Sequence, residues 1–312
     1  MLAQLEQAHP DDLLLVYRQF PLLPIHDKAS LAGQAAEAAG AQGQFWPMHD
    51  LLYDRWGEWT LLTPEAFLDW LGQAATTLDL DLGRFRDDLE RGRYAPVMEE
   101  AFEQGLAAGI PGTPVLFLNS NLFQLNPDQP TLEAAIRLEL LSARQFTSYP
   151  PTTVDPDVTY IAHLQLDSGE VVIQLYAGSA PQSVNSFLFL ARQGWYDDNP
   201  FFRVVPGTLV ESGDPSGTGI GGPGYTYATE VDPALRFDRA GIVAMSSAAP
   251  GANGSRFFIA LSPQPQLDGT RTIFGRVTEG LEILQALGAR NPLADILQPP
   301  EAVIRSVRIV EQ

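Results

Sequence analysis

The apolar positions of this chain fall first at helical spacing and later in short strand-like runs. From Leu13 the chain reads LLLVYRQFPL, an aliphatic and aromatic run that predicts a buried strand closing at Pro21. Helices follow. Lys28 to Gly40 is alanine-rich and ends on glycine, and Gly43 to Tyr53 continues as a second amphipathic helix. Thr63-Pro64-Glu65 opens another, with threonine as N-cap and proline in the first turn. Further helical stretches cover Leu82 to Gly92 and Tyr94 to Ala108. The last, Gln129 to Ser142, places Leu132, Ala135, Ile136 and Leu140 at helical spacing, with Thr131 as the expected N-cap.

Thr147 to Pro156, rich in proline and small polar residues, predicts an extended, semi-rigid linker. Beyond it, Val158 to Leu166 and Val171 to Tyr176 are β-rich runs joined by Asp167-Ser168-Gly169-Glu170, a hairpin signal. Ala180-Pro181 opens a helix with Val184, Phe187, Leu188 and Ala191 on one face, ended by Gly194. A second helix covers about Glu279 to Leu287 and closes at Gly288. Short strands, glycine-rich turns and two helices suit a closed antiparallel barrel capped at its ends. The expected domains are therefore 1–146 and 158–312, joined by 147–157.

Composition narrows the chemistry. The 312 residues suffice for two domains and contain no apolar run long enough to span a bilayer. A net charge of -19 repels nucleic-acid phosphates and anionic lipid, so no nucleic acid and no membrane insertion are expected. There is no cysteine, which removes disulfides, thiolate metal sites and thiol redox chemistry. His9, His26, His49 and His163 are scattered without metal-ligand spacing, and no metal or organic cofactor is implied. The N-terminus lacks the basic start and apolar core of a signal peptide.

Two long motifs carry the candidate chemistry. The first is Phe201 to Tyr225, FFRVVPGTLVESGDPSGTGIGGPGY; the second is Gly241 to Val277, GIVAMSSAAPGANGSRFFIALSPQPQLDGTRTIFGRV. Gly217, Gly219 and Gly222 also satisfy a dinucleotide pattern, but loop and strand residues follow them where that fingerprint requires a helix. In order and spacing the two motifs resemble the cyclophilins, peptidyl-prolyl isomerases built on a closed β-barrel, over about Thr159 to Glu311. The resemblance implies that Arg203 is the catalytic arginine and that Leu209, Phe258 and Leu267 hold the proline ring. It implies proline-containing peptides or unfolded chains as substrates. Taken singly, Arg203 reads as a surface side chain packed on a ring, and Phe258 and Leu267 as core.

Several substrate-binding positions depart from the family pattern. Thr208 replaces a pocket phenylalanine, while Glu211 and Arg256 each stand in place of a glutamine. Gln266 replaces a tryptophan or similar residue, Arg271 a histidine, and Ser246-Ser247 an Ala-Asn pair. Glu211 is expected to pair with Arg203 or Arg256. The alternative to an isomerase is a non-catalytic peptide-binding or scaffold protein, and the presence of Arg203 discriminates between them.

The first half resembles the DsbA-type branch of the thioredoxin superfamily, through EAAGAQGQFWPMHDLLY and Gly109 to Asn119, over about residues 1 to 145. An α/β thioredoxin-like domain is implied, with a cis bond before Pro114 and an extracytoplasmic setting. Its first strand and Cys-x-x-Cys helix start would precede Met1, so the domain is expected to be incomplete and redox-inactive. Leu13 to Phe20 and Val115 to Asn119 are then expected to be strands with unpaired edges that favour self-association.

Overall fold

Helical spacing in the first half is realised closely. A computed structural model, describing residues 1–247 and 251–312, gives α1 (Leu2–Ala8), α2 (Ala29–Gly40), α3 (Phe45–Asp54) and α4 (Trp56–Trp59). It continues with α5 (Pro64–Thr77), α6 (Leu82–Glu90), α7 (Ala95–Ala107), the short strands β1 (Phe117–Leu118) and β2 (Asn121–Leu122), and α8 (Gln129–Ser142). The chain divides into two compact units, residues 14–124 and residues 1–13 with 125–312. No helix of the described residues is long and apolar enough to cross a membrane.

In the unit 14–124, Ala35, Ala38 and Ala39 of α2 are buried against Met48, Phe67, Leu71 and Phe85. Small side chains let the flanking helices approach, and the aromatic rings fill the space between them. Thr63 caps α5 as expected, its Oγ1 accepting from Ala66 N at 3.3 Å. The Thr113–Pro114 bond is cis, as the resemblance implies. The two expected strands need correction. Residues 13–22 join no sheet, and only Phe117–Leu118 of 115–119 is strand, paired with β2 in a tight hairpin. A ladder needs a neighbour; packing holds the first segment extended instead, with Phe20 stacked on Phe102 at 5.6 Å.

The other unit is built on a curled sheet. Its elements are β3 (Tyr160–Leu166), β4 (Gly169–Leu175), α9 (Pro181–Arg192), β5 (Asn199–Pro200), β6 (Arg203–Val205) and β7 (Leu209–Ser212). There follow β8 (Tyr227–Ala228), β9 (Ile242–Met245), β10 (Ala252–Asn253), β11 (Phe257–Ala260), β12 (Ile273–Glu279), α10 (Leu281–Gln285) and β13 (Val303–Glu311). Nine strands pair in the order β5-β13-β3-β4-β12-β9-β11-β7-β6. The two edge strands are consecutive in the chain, joined through Phe201 and Phe202, so the sheet must curl until its ends meet. Val184, Phe187 and Leu188 of α9 pack into the core inside the curl with Val210, Val243, Ile259 and Phe274. The second helix is shorter than expected, because Gly280, at φ 80°, separates it from the strand that runs to Glu279.

Helix α8 belongs to this unit as well. Leu141 joins the barrel core, and Arg137 Nη2 donates to the Ile296 carbonyl at 3.0 Å. Its N-cap is Asp128, not Thr131: the carboxylate accepts from Thr131 N at 2.9 Å, and a carboxylate at this end also faces the positive end of the helix. The 147–157 segment is extended as expected, but it is docked on the barrel. The buried Asn185 accepts from Thr153 N at 2.8 Å and Val154 N at 3.3 Å, and donates to the Pro151 carbonyl at 3.1 Å. Tyr149 packs edge-on against Tyr225 and Tyr227. Asn185→Ala should therefore cost about 2–3 kcal/mol in denaturant unfolding and strip hydrogen-exchange protection from Thr153 and Val154.

Candidate functional site

Strand register assembles the site. Arg203 lies opposite Glu211, Glu211 opposite Phe258, Phe258 opposite Ala244, and Ala244 opposite Ile273. Residues directly opposed in antiparallel strands share a face. The adjacent row, Val204, Val210, Ile259 and Val243, points into the barrel core. The Arg203 row therefore lies on the outer face. There Phe258, Ala244 and Ile273 form a second apolar cluster with Phe237, Ile242 and Ala260, and half-buried Leu209 and Leu267 pack against it.

The charged end of the row is tightly bonded. Arg203 Nη1 donates to Glu211 Oε2 at 2.7 Å, and Ser246 Oγ donates to Glu211 Oε1 at 2.5 Å. The Glu211 side chain is 9% exposed and that of Arg203 is 48% exposed, so a buried carboxylate holds a guanidinium that still reaches solvent. Removing either partner would leave a charge or a buried acceptor unpaired. Arg256, the other candidate partner of Glu211, instead donates through Nη1 to the Gly219 carbonyl.

Arg203, Leu209, Glu211, Ser246, Phe258 and Leu267 thus come together through the row and its cluster. Ser247 turns its hydroxyl to Asn253 Oδ1 at 3.0 Å, and the exposed Gln266 donates to Gln264 Oε1 at 2.6 Å. Thr208 sits half-buried at the β6–β7 turn, its N–H donating to the Val205 carbonyl at 2.9 Å, and Arg271 is half-buried. Neither Thr208, Gln266 nor Arg271 hydrogen-bonds to that group.

Three supporting residues were not read from the sequence. Phe237 is fully buried and stacks on Phe258, with ring centroids 5.7 Å apart and planes 11° apart. Its N–H donates to Asp268 Oδ1 at 2.8 Å, which ties the turn after Leu267 to the ring behind the pocket. The acid directly after Leu267 was the available signal. Arg290 pairs with the outer edge of β6 by two backbone bonds of 3.0 Å through Val204, and its guanidinium donates to the carbonyls of Asp295, Gln298 and Pro299.

Asp214, also fully buried, shapes the glycine-rich loop. Its Oδ1 accepts from Ser216 N and Oγ at 2.9 and 2.6 Å. Its Oδ2 accepts from Thr218 Oγ1, Gly219 N and Gly221 N at 3.2, 2.8 and 2.9 Å. A Cβ on Gly221 would stand 2.2 Å from the carboxylate, which accounts for glycine there. The loop wraps a carboxylate of its own and runs on to β8 without a helix, so the glycine pattern is not a phosphate cradle.

A mainly-β domain of curled antiparallel strands with two helices, bearing an arginine in the same outer-face row as an apolar cluster, is of the cyclophilin-like class. The family model described as cyclophilin type peptidyl-prolyl cis-trans isomerase/CLD matches residues 161–310, and a thioredoxin family model matches residues 2–137. Peptidyl-prolyl cis-trans isomerase-like 1 of Gibberella zeae is 40% identical over 152 residues, covering 48% of this chain and 94% of the relative. Peptidyl-prolyl cis-trans isomerase CYP18-2 of Arabidopsis thaliana is 42% identical over 142 residues, covering 45% and 84%. A crystal structure of a cyclophilin-type isomerase of Cryptosporidium parvum aligns with a TM-score of 0.45 at 29% identity, over 49% of this chain and 99% of that one. The chain belongs to the cyclophilin-type peptidyl-prolyl cis-trans isomerases, and it carries a thioredoxin-like region without a cysteine.

The Asp214 knot generates a prediction. Asp214→Asn keeps the volume but turns an amide N–H₂ toward donors that now share a carboxylate. Unfolding free energy should fall by about 3 kcal/mol in a denaturant titration, the cost of buried donors left unmatched. An unchanged midpoint would remove the knot from the account of the loop.

Proposed function

We propose that the isomerase chemistry is carried by Arg203, with Leu209, Phe258 and Leu267 seating the proline ring. The observation behind this is the single cross-strand row that sets an exposed guanidinium beside a buried aromatic. Rotating an X-Pro bond breaks amide resonance against a barrier of roughly 18–20 kcal/mol. In the twisted state the proline nitrogen regains its lone pair and accepts a hydrogen bond that the planar amide cannot. A donor fixed at that nitrogen therefore lowers the barrier more than it stabilises the ground state. Thr208, Glu211, Ser246, Ser247, Arg256, Gln266 and Arg271 are the further substrate-binding positions that the resemblance implies. The substrates are proline-containing segments of unfolded chains, and the activity serves protein folding.

Glu211 acts through Arg203. Its single contact leaves other guanidinium nitrogens free to face a substrate, while its charge offsets part of the cation's field. By resemblance, residues 158–312 are the isomerase module and 1–146 a DsbA-like module without redox chemistry, joined by 147–157, although residues 1–13 and α8 pack in the isomerase unit. Leu14 and Val16, 80% and 62% exposed on an extended segment outside any sheet, favour self-association of the chain.

Arg203→Ala should lower kcat/KM on a short Ala-Pro-Phe peptide by about tenfold to a thousandfold in a protease-coupled assay. Wild-type turnover by that variant would remove Arg203 from the mechanism. Two changes at Glu211 should act in opposite directions. Glu211→Gln keeps an acceptor and removes the charge, raising kcat/KM by about threefold; Glu211→Ala frees the guanidinium and lowers it by about tenfold. Sedimentation velocity should show self-association that weakens when Leu14 and Val16 are both changed to serine.

A further inference from the structure

A second feature of the outer face lies across the 234–239 loop from Phe258. Between that loop and the ends of β4, β9 and β12 is a cavity of about 230 Å³. Ile242 and Ile273, of the same buried cluster as Phe258, contribute to a lining that is mostly polar. Its rim carries Arg236, Arg239 and Arg276; Asp238 pairs with Arg239, and Asp268 lies 3.7 Å from Arg236. In a chain with 19 basic residues against 38 acidic ones, three guanidiniums facing Asp238 and Asp268 leave this opening with one uncompensated cation among the described residues, Arg276. Screening over about 8 Å lets the local cluster outweigh the distant acids.

The donors are only partly used. Arg236 spends Nη1 on the Pro233 and Leu235 carbonyls and pairs with Asp268, Arg239 spends Nε and Nη2 on Asp238 at 2.8 and 2.9 Å, and Arg276 spends Nη2 on Gln174 Oε1 at 3.3 Å. Tyr176 lines the same cavity. Burial raises its phenol above the ordinary value, with Arg276 and Arg239 pulling it down and Asp238 pushing it up. A phenol and guanidiniums lining one cavity, with Arg276 not ion-paired among the described residues, match an anionic group.

We propose that this cavity is a specificity subsite that takes an acidic side chain of the same polypeptide whose proline engages Arg203 and Phe258. The proposal rests on that reading of the isomerase site. Phe258 and Ile273 lie two strands apart in one row. At about 4.8 Å per strand the separation is about 10 Å, which an extended peptide at about 3.3 Å per residue covers in about three residues. The cavity rim lies somewhat beyond Ile273. An acid about three to five residues from the proline reaches it after crossing the 234–239 loop.

The test uses the full-length protein and a series of Ala-Pro peptides. Each carries one glutamate at a position from about two to six residues on either side of the proline, with the glutamine peptide as control. Calorimetry should show one placement binding about tenfold more tightly than its glutamine control. Arg239→Gln combined with Arg276→Gln should abolish that preference and leave kcat/KM on the all-neutral peptide unchanged. Equal affinity for glutamate and glutamine at every position overturns the subsite, as does a preference that survives in the double variant. Failure of the isomerase reading is separate: it shows as undiminished turnover of the neutral peptide by Arg203→Ala.

Discussion

A carboxylate withdrawn from water has to be paired, and Glu211 is withdrawn almost completely, in the middle of a sheet. One oxygen is satisfied by Arg203 from the edge strand and the other by Ser246 from beyond β9. The two partners approach from opposite sides, so the carboxylate fixes both. The guanidinium gains an orientation that a solvent-exposed side chain with many rotamers would not hold by itself.

An edge strand is a weak platform for such a group unless its free side is occupied. Here β6 has β7 on one side, and the backbone of Arg290 covers Val204 on the other. Arg290 in turn gathers three carbonyls of the 295–299 loop, so loop and strand are held together. The opposite wall is fixed by different means. Phe237 backs Phe258, and Asp268 bonds the Phe237 backbone, so the Leu267 turn and the aromatic wall move as one piece. The groove is therefore supported from the sheet, from the C-terminal loop and from the turn after β11.

Much of this was legible because the local signals are strong. The Thr63 cap, most helices of the first half and the β3–β4 hairpin follow from residue type and spacing, while the resemblance narrowed the partner of Glu211 to Arg203 or Arg256. What escaped depends on contacts between residues distant in the chain. Nothing local says that Leu13 to Phe20, with its strand-like composition, will find no ladder partner. Nothing in a proline-rich stretch says that Asn185, in the middle of a later helix, will bond it down. The arginine-rimmed cavity draws on Tyr176, Arg236, Arg239 and Arg276, which only the fold brings together.

The charge at position 211 has two opposed consequences for an arginine proposed to act by differential hydrogen bonding. Pairing reduces the number of conformations the guanidinium must abandon when the substrate arrives, which favours the reaction. The same pairing supplies an acceptor in the ground state, so the bond gained in the twisted state is partly matched by one already present. A neutral acceptor would retain most of the first effect and little of the second. The buried position of Glu211 strengthens both, because the pair is screened less by water than an exposed one. On the proposed mechanism, catalytic strength is therefore set by the carboxylate behind the arginine as much as by the arginine, and the two have to be considered as one unit.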